Sequence, residues 1–196
     1  MLNSSGSQFK IIKFTNCMKA TTRYIIVTII ACFFLHLTGA AQFKSAVIGV
    51  DGLTCSACSF ATQKSLLELK SVDSVYMQLE QNTATVFFKT GEKVSVKDLA
   101  KKVTDAGFSV RSITATIEIK ELNVTPGYCW NYENDTYHLI KLDASTKLNG
   151  DVQFTFIGKR YMSATEYRKW MMYAKDTCPS NGAKTPYSED YYVTIQ

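Results

Sequence analysis

Histidine is nearly missing from this chain: of 196 residues, only His36 and His138 are histidines. No G-x-S-x-G, no H-E-x-x-H and no phosphate-cradling glycine loop occurs anywhere in it. The sequence therefore offers neither a hydrolytic nucleophile with its base nor a nucleotide fingerprint, and an enzyme is not expected. An excess of charge is lacking too. The formal net charge is +5, but Lys10, Lys13, Lys19 and Arg23 are the only charged residues before position 42. The remainder holds eighteen basic against seventeen acidic residues, which gives no electrostatic footprint for nucleic acid. A long apolar run is also absent. Tyr24 to Leu37 is 14 residues, short for a hydrocarbon layer of about 30 Å.

That short run has a different use. Lys19 and Arg23 precede it, and the small residues Thr38, Gly39, Ala40 and Ala41 follow it. A basic start, an apolar middle and a small-residue end are the parts of a secretory signal peptide, expected over residues 1–41. Gly39 and Ala41 can occupy the positions before the cut, leaving Gln42 as the new N-terminus. The bacterial periplasm is the expected location. An uncleaved membrane anchor is one alternative. The other is lipidation at Cys32, where Ile29-Ile30-Ala31-Cys32 imitates a lipoprotein box; the apolar run continuing through Leu35 argues against it. Export changes how the cysteines are read. Cys17 and Cys32 leave with the leader, and Cys55, Cys58, Cys129 and Cys178 enter a compartment where disulfides persist.

Gly49 to Ala61, G-V-D-G-L-T-C-S-A-C-S-F-A, carries the chemistry. An apolar strand ends at Val50, a loop holds Cys55, and a helix is expected to begin near Cys58. The first helical turn supplies free N–H groups and positive potential that favour thiolates. Two sulfurs alone suit Cu(I) better than Zn(II), which takes three or four ligands. The bland alternative is a structural disulfide, which would constrain little because the loop it closes is so short. A redox role is the other alternative, although no Trp-Cys-Gly-Pro-Cys run is present.

Periodicity supplies the frame around this stretch. Ala46, Ile48 and Val50 alternate on a strand, and Ser56 to Leu69 reads as a helix burying Ala57, Phe60 or Ala61, Leu66 and Leu69. Val72 to Leu79 alternates through Val75, Met77 and Leu79. Gln81-Asn82 turns the chain into a strand over Thr83 to Phe88. Ser95 with Asp98 opens a second helix, whose stripe is Val96, Leu99, Ala100, Val103 and Ala106. Gly107 ends it, and Phe108 to Ile113 returns as a strand. The order predicts an α+β fold: a ferredoxin-like βαββαβ sandwich over residues 42–114, with both helices on one face.

Residues 44–114 resemble a heavy-metal-associated domain, the small module of copper chaperones, heavy-metal-pumping ATPases and periplasmic mercury-binding proteins. The likeness rests on Gly52-Leu53-Thr54-Cys55-Ser56-Ala57-Cys58, where the family usually reads G-M-T-C-x-x-C. Ser71-Val72-Asp73-Ser74-Val75, Ala84-Thr85-Val86 and Ala106-Gly107-Phe108 extend it. The resemblance implies that Cys55 and Cys58 hold one soft ion, Cu(I) first, with Hg(II) or Zn(II) as alternatives. It implies sequestration, or transfer to a heavy-metal-transporting ATPase, an efflux component or another envelope protein. Leu53 replaces the usual Met with similar volume and is expected to pack under the loop. Phe108 is expected to limit water access there. Periplasmic mercury binding and an exported thiol–disulfide protein remain the alternative functions.

Residues 115–196 resemble no family and are expected to form a small α+β C-terminal appendage. Thr116 to Leu122, Tyr137 to Leu142 and Val152 to Ile157 read as strands, and Asn123 to Asp135 as turns. Ser163 with Glu166 caps a helix burying Tyr167, Trp170 or Met171, and Ala174. A Cys129–Cys178 disulfide is expected, worth about 4 kcal/mol in the chain-entropy picture. A rival arrangement brings these sulfurs to Cys55 and Cys58. His138, on a strand, is expected to be structural or at the surface rather than a ligand, and Met77 to be core. Met162, Met171 and Met172 are not expected to form a copper set, because adjacent helical residues point apart. Lys93, Lys97 and Lys101 make a basic edge that serves either docking or solvation.

Overall fold

The computed structural model describes residues 42–174 and 188–196. The leader and Cys178 lie outside the described residues. The alternation expected between residues 44 and 50 produces β1 (Gln42–Asp51), and the β2 (Val72–Gln78) and β3 (Thr83–Phe88) hairpin turns where expected, with Asn82 in the left-handed region. Helix α1 (Ser56–Leu67) connects β1 to β2, and α2 (Val96–Asp105) connects β3 to β4 (Ser109–Val124). Strand order β2-β3-β1-β4 with βαββαβ connectivity is the ferredoxin-like core.

The sheet does not stop there. β5 (Cys129–Tyr132), β6 (Asp135–Leu139), β7 (Thr146–Ile157) and β8 (Asp190–Ile195) extend it to eight strands, β2-β3-β1-β4-β7-β8-β6-β5. Every pairing is antiparallel except β6 with β8. β4 runs from the ferredoxin-like half straight into the appended half, pairing with β1 on one side and β7 on the other. The stretch read as turns contains β5, which returns through Glu133 and Asn134, both at positive φ, as a two-residue hairpin loop requires.

One apolar face is continuous across the sheet. Ile48, Val86, Ile113, Ala115 and Ile117 share it with Phe154, Phe156, Tyr137 and Tyr191. The sheet curls enough for Phe43 on β1 to reach Tyr132 on the distant edge strand β5, ring centroids 6.2 Å apart. Trp130 stacks on Tyr132 at 5.1 Å and on Phe154 at 6.0 Å. Polar contacts follow the same join. Asp135 is buried, takes the Lys93 ammonium at 3.3 Å and accepts the Glu189 N–H at 2.9 Å. Lys97 pairs with Glu189, and Lys101 with Asp105. The basic edge expected at Lys93, Lys97 and Lys101 is thus consumed within the chain.

The two ferredoxin helices differ in how well their patterns forecast burial. On α2, Val96, Leu99, Ala100 and Val103 are buried as expected. On α1 the expected stripe is displaced. Ser59, Thr62 and Leu66 are buried, whereas Ala57, Phe60 and Ala61 are exposed, Phe60 at 65%. Thr62 tolerates the interior because its hydroxyl donates to the Cys58 carbonyl at 3.2 Å. On β2, Val75 is buried and Met77 packs against the core, but the strand ends at Gln78 and Leu79 is exposed. In the appendage, α3 (Ala164–Met171) begins at the expected Ser163 cap. Tyr167, Trp170 and Ala174 half-bury against Ile140, Ile157 and Met162 in a second, smaller cluster.

Because the two halves share one core, Trp130→Ala is expected to cost about 3–5 kcal/mol. A denaturant titration followed by far-UV circular dichroism should show one transition moved as a whole, with no early loss confined to the appended strands.

Candidate metal centre

The site hangs from the end of β1. Gly52 stands at φ +97°, a conformation that L side chains avoid, and a Cβ there would lie 3.3 Å from the Phe108 ring. Leu53 is buried at 4%, under the loop as expected, and Phe108 is half-buried against the core. The Thr54 N–H closes a tight turn onto the Gly52 carbonyl at 2.9 Å. Cys55 follows as the N-cap of α1. Its sulfur accepts the Cys58 N–H at 3.3 Å, a role that serine or aspartate fills in most helices.

Cys55 is exposed, Cys58 is half-buried, both are free, and their sulfurs lie 2.6 Å apart. No acidic residue occupies the first turn of α1, so the positive end of the helix acts on the sulfurs unopposed. Hydrogen bonding from the Cys58 thiol, then from the Cys58 and Ala57 backbone N–H groups, holds the Cys55 thiol below the ordinary thiol range. Around the base of the loop, the Arg111 guanidinium pairs with Asp51 at 2.8 Å and donates to the Gln81 carbonyl at 3.1 Å. Sequence reading missed both residues. The signal was the spacing Val110-Arg111-Ser112-Ile113, two polar residues between two apolar ones on a strand.

The other candidates stand apart. Among the described residues, no group of three or more His, Cys, Asp or Glu side chains is placed to hold a metal ion. His138 is buried on β6 and stacks on Tyr192 at 4.9 Å. Met77 packs in the core, Met162 is buried in the second cluster, and Met172 is exposed at the end of α3. Cys129 is disulfide-bonded and neither Cys55 nor Cys58 is its partner; Cys178, expected to bridge it, lies outside the described residues.

Alkylation of the metal-free protein tests the thiol chemistry. Cys55 is expected to react at a lower pH than an ordinary cysteine, whose pKa is about 8.5. Cys58→Ala removes the largest cause of that shift and should move the Cys55 rate profile to higher pH.

Residues 47–109 match the heavy-metal-associated domain. Over 61 residues the chain is 39% identical to the copper chaperone CopZ of Bacillus subtilis, covering 31% of this chain and 87% of that one. Over 68 residues it is 35% identical to the periplasmic component of the mercuric transport protein of Pseudomonas aeruginosa, covering 35% and 74%. A copper-exporting P-type ATPase of Staphylococcus saprophyticus is 30% identical over 88 residues, 45% of this chain and 11% of that one. The two proteins that share the module over most of their length are named for chaperoning and transport rather than for an enzymatic reaction. Fold, Cys-x-x-Cys loop and likeness to most of the length of two such proteins agree: this chain belongs to the heavy-metal-associated domain family.

Proposed function

We propose that this protein binds one soft metal cation, Cu(I), between Cys55 and Cys58 and sequesters it or passes it to a partner. The observation that carries the reading is the pair of free sulfurs at the start of α1, one exposed and with its thiol acidity raised by the other. Thiolates select soft cations, and two sulfurs with no third His, Cys, Asp or Glu ligand grouped with them among the described residues suit Cu(I) or Hg(II) better than Zn(II). The cation is cargo. Cys58 lies in the first helical turn, while Cys55 sits at the N-cap where the loop meets the helix and is the more exposed of the two. An incoming thiolate can therefore replace one sulfur while the other still holds the ion, and no step requires a bare cation. A heavy-metal-transporting ATPase or another envelope thiol protein is the partner this chemistry fits. Hg(II) is the second reading, favoured by the likeness to the mercuric periplasmic component.

Residues 1–41 supply the export signal in this reading, and Cys129 bridges Cys178 in the oxidising compartment that follows. Among the described residues no helix is long and apolar enough to cross a membrane.

Anaerobic titration of the mature protein with Cu(I) and with Hg(II) tests the proposal. One equivalent of Cu(I) per chain is expected, and Cys55→Ser with Cys58→Ser should abolish it. Two equivalents surviving that double change would overturn the reading, as would turnover of a protein disulfide by metal-free material. For export, the N-terminal residue of protein recovered from the envelope is expected to be Gln42; an intact leader would refute cleavage at that point.

A further inference from the structure

β1 and β4 do not pair evenly beside the metal loop. Gly49 faces Ser112 and the next residue, Val50, faces Val110, so Arg111 is an extra residue on β4, a β-bulge. Burial records the same slip. Ile48 and Val50 on β1 are two apart and both buried, whereas on β4 the inward positions Val110 and Ile113 are three apart. By simple alternation Arg111 would point inward with Ile113; the bulge turns it out to the exposed face.

The re-aimed side chain lies across Gly49. A Cβ built on that glycine would stand 2.6 Å from Ser112 Oγ and 3.3 Å from Arg111 Nε, so a bare backbone leaves the passage open. Beyond it, Nη1 reaches Asp51 Oδ1 at 2.8 Å and Nη2 donates to the Gln81 carbonyl at 3.1 Å. Gln81 belongs to the β2–β3 turn, which is tied to β1 again by the Val50 N–H on the Asn82 carbonyl at 2.9 Å. Asp51 faces Ser109, the residue after Phe108, and precedes Gly52. One planar cation thus fastens the end of β1, the neighbouring turn and the start of β4 at the point from which the Cys55 loop departs.

As a stabilising contact this is modest, because the pair is half-exposed and such pairs contribute little. As a geometric device it is specific, since the guanidinium fork meets two acceptors on two segments at once and an ammonium cannot reproduce that fork. We propose that Arg111 is a positioning residue for the cargo loop: with Asp51 it fixes the loop's anchor and so limits how readily Cys55 swings away from Cys58. The proposal rests on the reading of Cys55 and Cys58 as the cargo site.

The test uses the full mature chain as Arg111→Ala, Asp51→Ala, the double variant and Arg111→Lys. Amide hydrogen exchange over residues 52–58 is measured without metal. Transfer of Cu(I) to a chromophoric chelator is measured on the loaded protein. Arg111→Ala is expected to speed both by about five-fold, the upper end of what such a pair contributes. Asp51→Ala should give a smaller increase because the Gln81 contact remains, the double variant should not exceed Arg111→Ala, and Arg111→Lys should fall between the parent and Arg111→Ala. The midpoint of thermal unfolding should stay within a few degrees of the parent, as it would not if Arg111 merely held the fold together. Unchanged loop exchange in Arg111→Ala, or effects of Arg111→Ala and Asp51→Ala that multiply independently, would overturn the proposal. Should the parent protein take up no Cu(I) while the amide effects appear as described, the cargo reading falls and the anchoring of the loop stands.

Discussion

Everything in this molecule depends on the pairing of β4 with two neighbours. The strand is 16 residues long and hydrogen-bonds β1 along one side and β7 along the other. In a bare ferredoxin-like sandwich of order β2-β3-β1-β4 it would be an edge strand. Here it is central, and the apolar face that covers the helices continues from Ile113, Ala115 and Ile117 to Phe154 and Phe156 without a break. A β-bulge at each end adjusts it. One, near Glu121 at φ +47°, falls between the Ile119–Gly150 and Leu122–Leu148 pairs with β7. The other, at Arg111, sets the anchor of the cysteine loop.

Burial and exposure are divided to suit the chemistry. Leu53, Phe108 and the Gly52 turn hold the loop from below, while Cys55 faces solvent at the cap of α1. The helix end provides N–H groups and positive potential with no acidic residue in its first turn, and thiolate character at Cys55 comes first from the Cys58 thiol and then from backbone N–H groups. Lys93, Lys97 and Lys101 are engaged at Asp135, Glu189 and Asp105.

Much of this was legible in the residues, and the failures have identifiable causes. The cysteine loop is local chemistry, and four short stretches in order sufficed to find it. The α2 stripe was legible because its apolar residues all lie on one face. On α1 the pattern misled: Thr62 turns inward because its hydroxyl bonds the Cys58 carbonyl of its own helix, Ser59 is buried with no such bond for its hydroxyl, and Phe60 faces outward. The appendage revealed its strands but not its place in the sheet. The parallel contact of β6 with β8 joins residues about fifty apart along the chain, and long-range pairing of that kind leaves no local periodic signature. Arg111 broke the alternation, as one extra polar residue between Val110 and Ile113, but only the register shows which residue is the extra one.

The arrangement of borders has a further effect. With β4 enclosed, the rims of the sheet among the described residues are β2 and β5. β5 is four residues long, and the Gln63 side-chain amide sits on the Val75 carbonyl of β2 at 2.7 Å. A short rim, and one with a carbonyl already taken, leave less backbone for a further strand to pair with.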